Sequence, residues 1–180
     1  MTVTTALPFF TIGHSNRGIE EFIELLRGPD IESIIDVRKI PMSRANPQFN
    51  EDALPQALAP WRIAYEHVAA LGGLRAKTAS LSGDINGFWN NRSFHNYADY
   101  ALSQEFQTGL DRLIEQGRKR RCAIMCSEAV WWRCHRRLIA DYLIARGETV
   151  FHIMGPHRLE PARLTAGAVI RSDGKVVYPA

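Results

Sequence analysis

Cys122-Ala123-Ile124-Met125-Cys126, followed by Ser127-Glu128-Ala129-Val130-Trp131-Trp132-Arg133-Cys134-His135-Arg136, decides the fold. The first part is a continuous apolar run, short for a helix and too uniform for a strand with one wet face. It suits a strand buried on both faces, as in a parallel sheet. The loop Ser127–Arg133 leads into a helix whose apolar stripe is Leu138, Ile139, Tyr142 and Leu143, capped by Gly147. Thr149–Ile153 reads as the next strand.

The same alternation runs upstream. Phe9–Ile12 is a β-rich run that stops at Gly13-His14-Ser15-Asn16. Ile19, Phe22, Ile23, Leu25 and Leu26 have helical spacing, with Glu20 and Glu21 in the first turn and Gly28-Pro29 as the stop. Ile31, Ile34, Ile35 and Val37 make a second apolar strand that ends in Asp36-Val37-Arg38. A loop rich in breakers follows, with Pro41, Ser43, Asn46 and Pro47, then a helix over Glu51–Leu58 and a third strand, or the edge of one, over Arg62–Val68. Residues 71–92, with Gly72, Gly73, Gly83, Asn86, Gly87, Asn90 and Asn91, lack periodicity and predict a long loop over the sheet edge. A helix is predicted from about Phe94 to Gln116, stopped by Gly117. Val169–Tyr178 reads as a small hairpin around Asp173-Gly174.

Strands alternating with helices predict an α/β fold: a single-domain, three-layer structure with a mostly parallel sheet and helices on both faces. The expected division is an α/β domain over residues 1–157 and a C-terminal extension, carrying the hairpin, over 158–180. The bulk numbers agree with one domain, since the chain has 180 residues, 46% hydrophobic and 23% charged. No apolar run is long enough to span a bilayer, so no membrane role is expected. Met1–Pro8 lacks the pattern of a secretory signal, and three cysteines (Cys122, Cys126, Cys134) do not suggest a disulfide framework. A reducing, cytoplasmic location is therefore expected.

In open parallel sheets, ligands bind outside the carboxyl ends of the strands. That rule gathers His14 and Ser15, Arg38 with its loop, His67, and Cys126-Ser127-Glu128 onto one rim. Helix-start N–H groups after Cys126 favour an anion, and Arg133 and Arg136 add planar donors suited to phosphate or carboxylate. Glu128 and His135 are candidate proton-transfer groups; His135 could equally cap the helix or bridge to Asp36. Cys126 is either a packed core thiol or a nucleophile activated by the helix start and the arginines. Packing is the favoured reading of Cys134. Asp36 and Arg38 point to the same side of their strand, as a structural ion pair or a catalytic orienting pair. Ser43 and Arg44 read as ligand contacts on a loop.

Other chemistries are open to the same residues. Cys126, Cys134, His135 and His14 include zinc-ligand types, but the cysteines lack the short spacing of structural sites, so neither a metal nor another cofactor is expected. Arg118-Lys119-Arg120-Arg121 is the only dense basic run, and a solvated helix end explains it. The net charge of +3 is mild, so a nucleic-acid partner stays an alternative, with Trp89, Trp131 and Trp132 as stacking groups. Two adjacent indoles are hard to bury together, which makes either Trp131 or Trp132 a candidate pocket wall.

Several motifs occur together: Thr11-Ile12-Gly13-His14-Ser15-Asn16-Arg17, Asp36-Val37-Arg38, Ser43 to Asn50, Leu71-Gly72-Gly73, Phe94 with Tyr97-Ala98, and Met125 to Glu128 with Cys134-His135-Arg136. From about residue 9 to 155 this order resembles the family called domain of unknown function 488. The resemblance implies a compact cytoplasmic α/β domain with motif positions at His14, Ser15, Asp36, Arg38, Ser43, Arg44, Cys126, Glu128, Cys134, His135 and Arg136. A weaker likeness is to rhodanese-like domains and cysteine phosphatases, which share a strand, a cysteine, an anion-cradling loop and a helix. The phosphatase spacing would place an arginine at Trp132, whereas here it stands at Arg133.

The expected function is an enzyme acting on a small anionic, phosphorylated or nucleotide-like compound. Cys126, Glu128, His135 and Asp36 would do the chemistry. His14, Ser15, Arg38, Ser43, Arg44, Arg133 and Arg136 would bind the substrate. The alternatives are a non-catalytic nucleotide or nucleic-acid binder and a metal-dependent enzyme.

Overall fold

The computed structural model describes residues 5–79, 81–82 and 84–180; Gly83 of the expected loop and residues 1–4 of the N-terminal stretch lie outside the described residues. Strands β1 (Phe9–Gly13), β2 (Ser33–Asp36) and β4 (Cys122–Cys126) are buried along their whole length, as uniformly apolar runs in a parallel sheet should be. With β3 (Ala64–His67), β5 (Val150–Gly155) and β6 (Arg158–Pro161) they form one six-stranded sheet in the order β3-β2-β4-β1-β5-β6. Every pairing is parallel except β5 with β6.

Alternation along each strand divides the core in two. Phe10, Ile12, Ile34, Ala123 and Met125 pack with Phe22, Leu26, Leu54 and Leu58 of helices α1 (Ile19–Arg27) and α2 (Leu54–Leu58). Phe9, Ile35, Cys122, Ile124 and Cys126 pack on the opposite face. Their partners come from α3 (Arg92–Tyr100), α4 (Gln104–Lys119) and α5 (Arg136–Ala145). The fold is thus the expected three-layer α/β sandwich. Among the described residues no helix is long and apolar enough to cross a membrane.

This topology makes the crevice. The chain leaves β1 and β2 toward the α1/α2 face, but it leaves β4, which lies between them, toward the α5 face. Neighbouring strand ends therefore send their loops apart, the arrangement that opens a ligand cleft at a switch point.

Local differences from the sequence expectation have clear causes. The predicted helix from Phe94 to Gln116 is two helices. Ser103 caps α4 by accepting a hydrogen bond from the Phe106 N–H, and so starts a new helix. Gly117 does not stop α4, which runs on to Lys119. A Cβ at Gly117 would lie 2.1 Å from the Phe9 ring, so this glycine lets the helix press against β1. Gly147 does end α5 in the left-handed region, at φ 83°. The chain passes residue 157 inside the β5–β6 hairpin, so residues 158–161 extend the main sheet. The hairpin around Asp173-Gly174 is present as β7 (Val169–Ile170) and β8 (Val176–Val177). Tyr178 anchors the tail by donating to Asp141 Oδ2 at 2.8 Å and, through its N–H, to buried Asn86 at 2.9 Å.

Candidate functional site

The close approach of the β4 loop to the end of β1 begins with a missing side chain. A Cβ on Gly13 would fall 1.8 Å from the Glu128 carbonyl oxygen, so only glycine lets the loop rest there. The N–H groups of His14 and Ser15 then donate to Cys126 O and Ser127 O at 2.9 and 3.0 Å. Above this junction lies a cavity of about 500 Å³, within the usual range for small-molecule sites. Its polar wall includes His14, Arg38, Ser43, Glu128, Arg133 and His135, and Cys126 and Cys134 also line it. Ile40, Met42 and Leu74 form an exposed apolar lip. A larger cavity, about 710 Å³, lies between α1 and the β5–β6 hairpin. It contains no cysteine, and its charges are mixed, with Glu21 and Glu24 facing Arg27 and Arg158, so the chemistry favours the first.

On the α1/α2 side, Arg38 is fixed by Asp36. The two make a buried bidentate pair, Nε to Oδ1 at 2.9 Å and Nη2 to Oδ2 at 2.7 Å. Tyr65 donates to Asp36 Oδ2 at 2.5 Å and Arg38 also donates to Phe49 O at 2.6 Å. Burial opposes the charge of Arg38, but its bond to Asp36 outweighs this and raises its pKa. Asp36 is sealed beneath the arginine and does not reach the cavity, so it orients Arg38 and does not handle protons there. His14 donates from Nδ1 to Ser15 O at 2.7 Å, which leaves Nε2 as an acceptor facing Arg38 Nη1 at 3.4 Å. Burial lowers the His14 pKa, and nearby Arg38 adds to the effect. His14 is therefore a neutral imidazole at physiological pH, stacked on Phe49 at 4.3 Å.

On the α5 side the two sulfurs of Cys126 and Cys134 are 2.7 Å apart. Both are free thiols and almost fully buried. The Arg136 N–H, at the start of α5, points to Cys134 Sγ at 3.5 Å. His135 donates from Nε2 to Val37 O at 2.9 Å, which aims Nδ1 at Cys134 Sγ at 3.5 Å. His135 thus neither caps α5 with its side chain nor bridges to Asp36.

Arg136 is 1% exposed and makes no ion pair with a carboxylate among the described residues. It donates to Thr11 Oγ1 at 3.1 Å and to Glu128 O at 2.7 Å, and its Nε has no partner. A buried charge needs a counter-charge, and the two thiols are the ionisable groups that raise the Arg136 pKa against its own burial. The consequences divide between the cysteines. Burial pushes the Cys126 thiol well up, and its hydrogen bond to Cys134 adds to this. Burial also acts on Cys134, but the Cys126 hydrogen bond, His135 and Arg136 overcome it and bring this thiol well down. Of the two, Cys134 is therefore the sulfur whose surroundings favour the thiolate, and Cys126 the one whose surroundings favour the thiol.

Behind the sulfurs, Thr11 accepts from Arg136 and so donates to His152 Nδ1 at 2.6 Å. Burial, with help from Arg136, lowers the His152 pKa to about 3. The ring of Trp131 stacks on His152 at 4.6 Å.

The sequence expectation is met unevenly. The cavity gathers His14, Arg38, Ser43, Cys126, Glu128, Arg133 and His135. Ser43 helps shape its own loop, accepting from the Asn46 N–H at 3.0 Å. Arg136 and Asp36 lie behind the wall. Ser15 and Arg44 are not on it, nor is His67, whose Nε2 donates to Arg38 O at 2.7 Å. Neither Trp131 nor Trp132 lines it. Cys134, read as a packing residue, does pack in the core cluster but also lines the cavity, where its neighbours pull its thiol down; its place one residue before the helix cap was the available signal. Tyr65, Thr11 and His152 support the site from within the sheet and carried no separate signal. Among the described residues no three His, Cys, Asp or Glu side chains are grouped to hold a metal ion. The basic run ends α4, with Arg118 paired to Glu148 and Lys119 to Glu115.

Among curated proteins and among solved structures, none matches the chain. A family model does, over residues 18–143, and these include Asp36, Arg38, Cys126, Glu128, Cys134, His135 and Arg136. The chain belongs to the family described as domain of unknown function DUF488.

Proposed function

We propose that this protein is an enzyme acting on a small anionic compound, phosphorylated or nucleotide-like, with the Cys134 thiolate as nucleophile. One observation carries the reading. A thiolate-favouring cysteine and an exposed arginine without an ion pair among the described residues, Arg133, face one cavity of small-molecule size. Arg133, with the Nη1 hydrogen of Arg38 that does not face His14, supplies donors for phosphate or carboxylate oxygens. Ile40, Met42, Phe94 and Leu74 offer apolar surface for the rest of the ligand. The Glu128 side chain has no hydrogen bond among the described residues and faces the cavity, where it can pass a proton to a leaving group. Attack by Cys134 would form a covalent intermediate, and its release to water or to a second substrate would make the protein a hydrolase or a transferase.

Calorimetric titration with inorganic phosphate, nucleoside phosphates and small carboxylates tests this. Saturable binding of a phosphorylated compound, weakened about tenfold or more by Arg133→Ala, is the expected result. No binding by any of them overturns it. Trp132, 45% exposed beside Arg133, favours a second reading, a binder that stacks a nucleic-acid base. Steep salt dependence with single-stranded RNA or DNA and no turnover would select that reading.

A further inference from the structure

We propose that Cys126 and Cys134 form a reversible dithiol–disulfide couple, in which a hydroperoxide oxidises Cys134 and Cys126 resolves the product. This goes beyond the anion chemistry proposed for the cavity and rests only on that reading's assignment of Cys134 as the thiolate.

The geometry points to it in four ways. The two sulfurs are 2.7 Å apart, so a shift of only about 0.7 Å would bring them to bonding distance. They come from different elements, Cys126 from the end of β4 and Cys134 from the segment just before α5, joined by residues 127–133. Both line the cavity, which admits a molecule as small as a peroxide. Both pack in the core cluster, but their polar neighbours are unequal: Cys134 lies against the Arg136 N–H and His135, whereas Cys126 Sγ faces the Glu128 carbonyl oxygen. An unequal pair is what a two-step oxidation needs, one sulfur that attacks and one that keeps its proton until the second step.

The chemistry balances. The Cys134 thiolate attacks the peroxide's distal oxygen, its O–O bond breaks, and the leaving alkoxide or hydroxide takes a proton to become alcohol or water. Cys134 becomes a sulfenic acid. The Cys126 sulfur attacks the Cys134 sulfur while its proton passes to the sulfenic acid hydroxyl, the S–O bond breaks, water leaves, and the Cys126–Cys134 bond forms. The two sulfurs have together lost two electrons to the peroxide, and a dithiol reductant returns them. Cys122 takes no part, because burial on β4 raises its pKa to about 12 and it does not line the cavity.

Equimolar hydrogen peroxide on the reduced full-length protein, followed by alkylation in denaturant and peptide mass spectrometry, is the test. Titratable thiols should fall from three to one, with a peptide pair linked through Cys126 and Cys134 that a dithiol reductant separates. In Cys126→Ser, dimedone should label Cys134 instead. Three free thiols after treatment, a linkage that includes Cys122, or dimedone on Cys126 in Cys134→Ser with Cys134 untouched in Cys126→Ser overturns the proposal. Phosphate and nucleotide titrations on the same reduced protein separate the two readings. A linked pair without anion binding defeats only the enzyme reading, and anion binding without linkage defeats only this one.

Discussion

Replacing Arg136 by Met keeps an unbranched apolar stem and removes the guanidinium with its charge. Two buried acceptors, Thr11 Oγ1 and Glu128 O, lose their donors, each at about 1–3 kcal/mol. Relief of the buried guanidinium offsets part of this, so a net loss of roughly 1–3 kcal/mol is expected. The larger effect falls on Cys134. An adjacent opposite charge changes the acidity of a buried group by roughly ten- to a thousandfold. In the wild type this thiol lies well below its ordinary value of 9.0, so folding releases a proton near neutrality. Its stabilising contribution is complete above the unfolded value and fades as pH falls through the folded one. In Arg136→Met that pH slope should flatten. Thiolate ultraviolet absorbance followed against pH gives the direct readout, with urea unfolding at each pH as the companion. The main absorbance step should move up by about one pH unit or more. A folded variant with an unmoved step would refute the claim that Arg136 supports the thiolate.

Asp36→Asn should cost about 3 kcal/mol by stripping a buried arginine of its counter-charge, and Tyr65→Phe about 1 kcal/mol, both read by urea denaturation; equal small losses would contradict the idea that Asp36 anchors Arg38 and Tyr65 only assists. His152 titrates in the unfolded chain near 6.5 but in the folded one only at about 3. Protons therefore favour the unfolded state below pH 6.5, and the stability that falls away there should do so at up to about 1.4 kcal/mol per pH unit. His152→Gln should reduce that slope, and an unchanged slope would assign it elsewhere. Gly117→Ala places a methyl against the Phe9 ring and should destabilise by about 1–3 kcal/mol; an unchanged melting temperature would show that α4 yields easily.

What could be read from the sequence follows physical lines. The buried strands were legible because Cys122–Cys126 has no polar face, and the crevice because the rule of strand ends needs only their order. The break between α3 and α4 was not, since Ser103 acts as a cap only once Phe106 faces the core. Arg136 looked like a ligand contact because an arginine at a helix start has two directions open to it. Only packing against Thr11 and the Glu128 carbonyl decides for the inside. The pull on the Cys134 thiol was hidden for the same reason: it comes from Cys126, His135 and Arg136, which α5 and the loop that crosses the end of β1 bring together. No local pattern records that meeting.

The central claim is that Cys134, not Cys126, carries the negative charge at an anion-binding cavity. Iodoacetamide labelling of the native, reduced protein at neutral pH, resolved by peptide, tests it in one measurement when run with and without a saturating phosphorylated ligand. Cys134 should label first and be protected by the ligand. First labelling at Cys126 or Cys122, or labelling of Cys134 indifferent to every anion bound, would contradict the account.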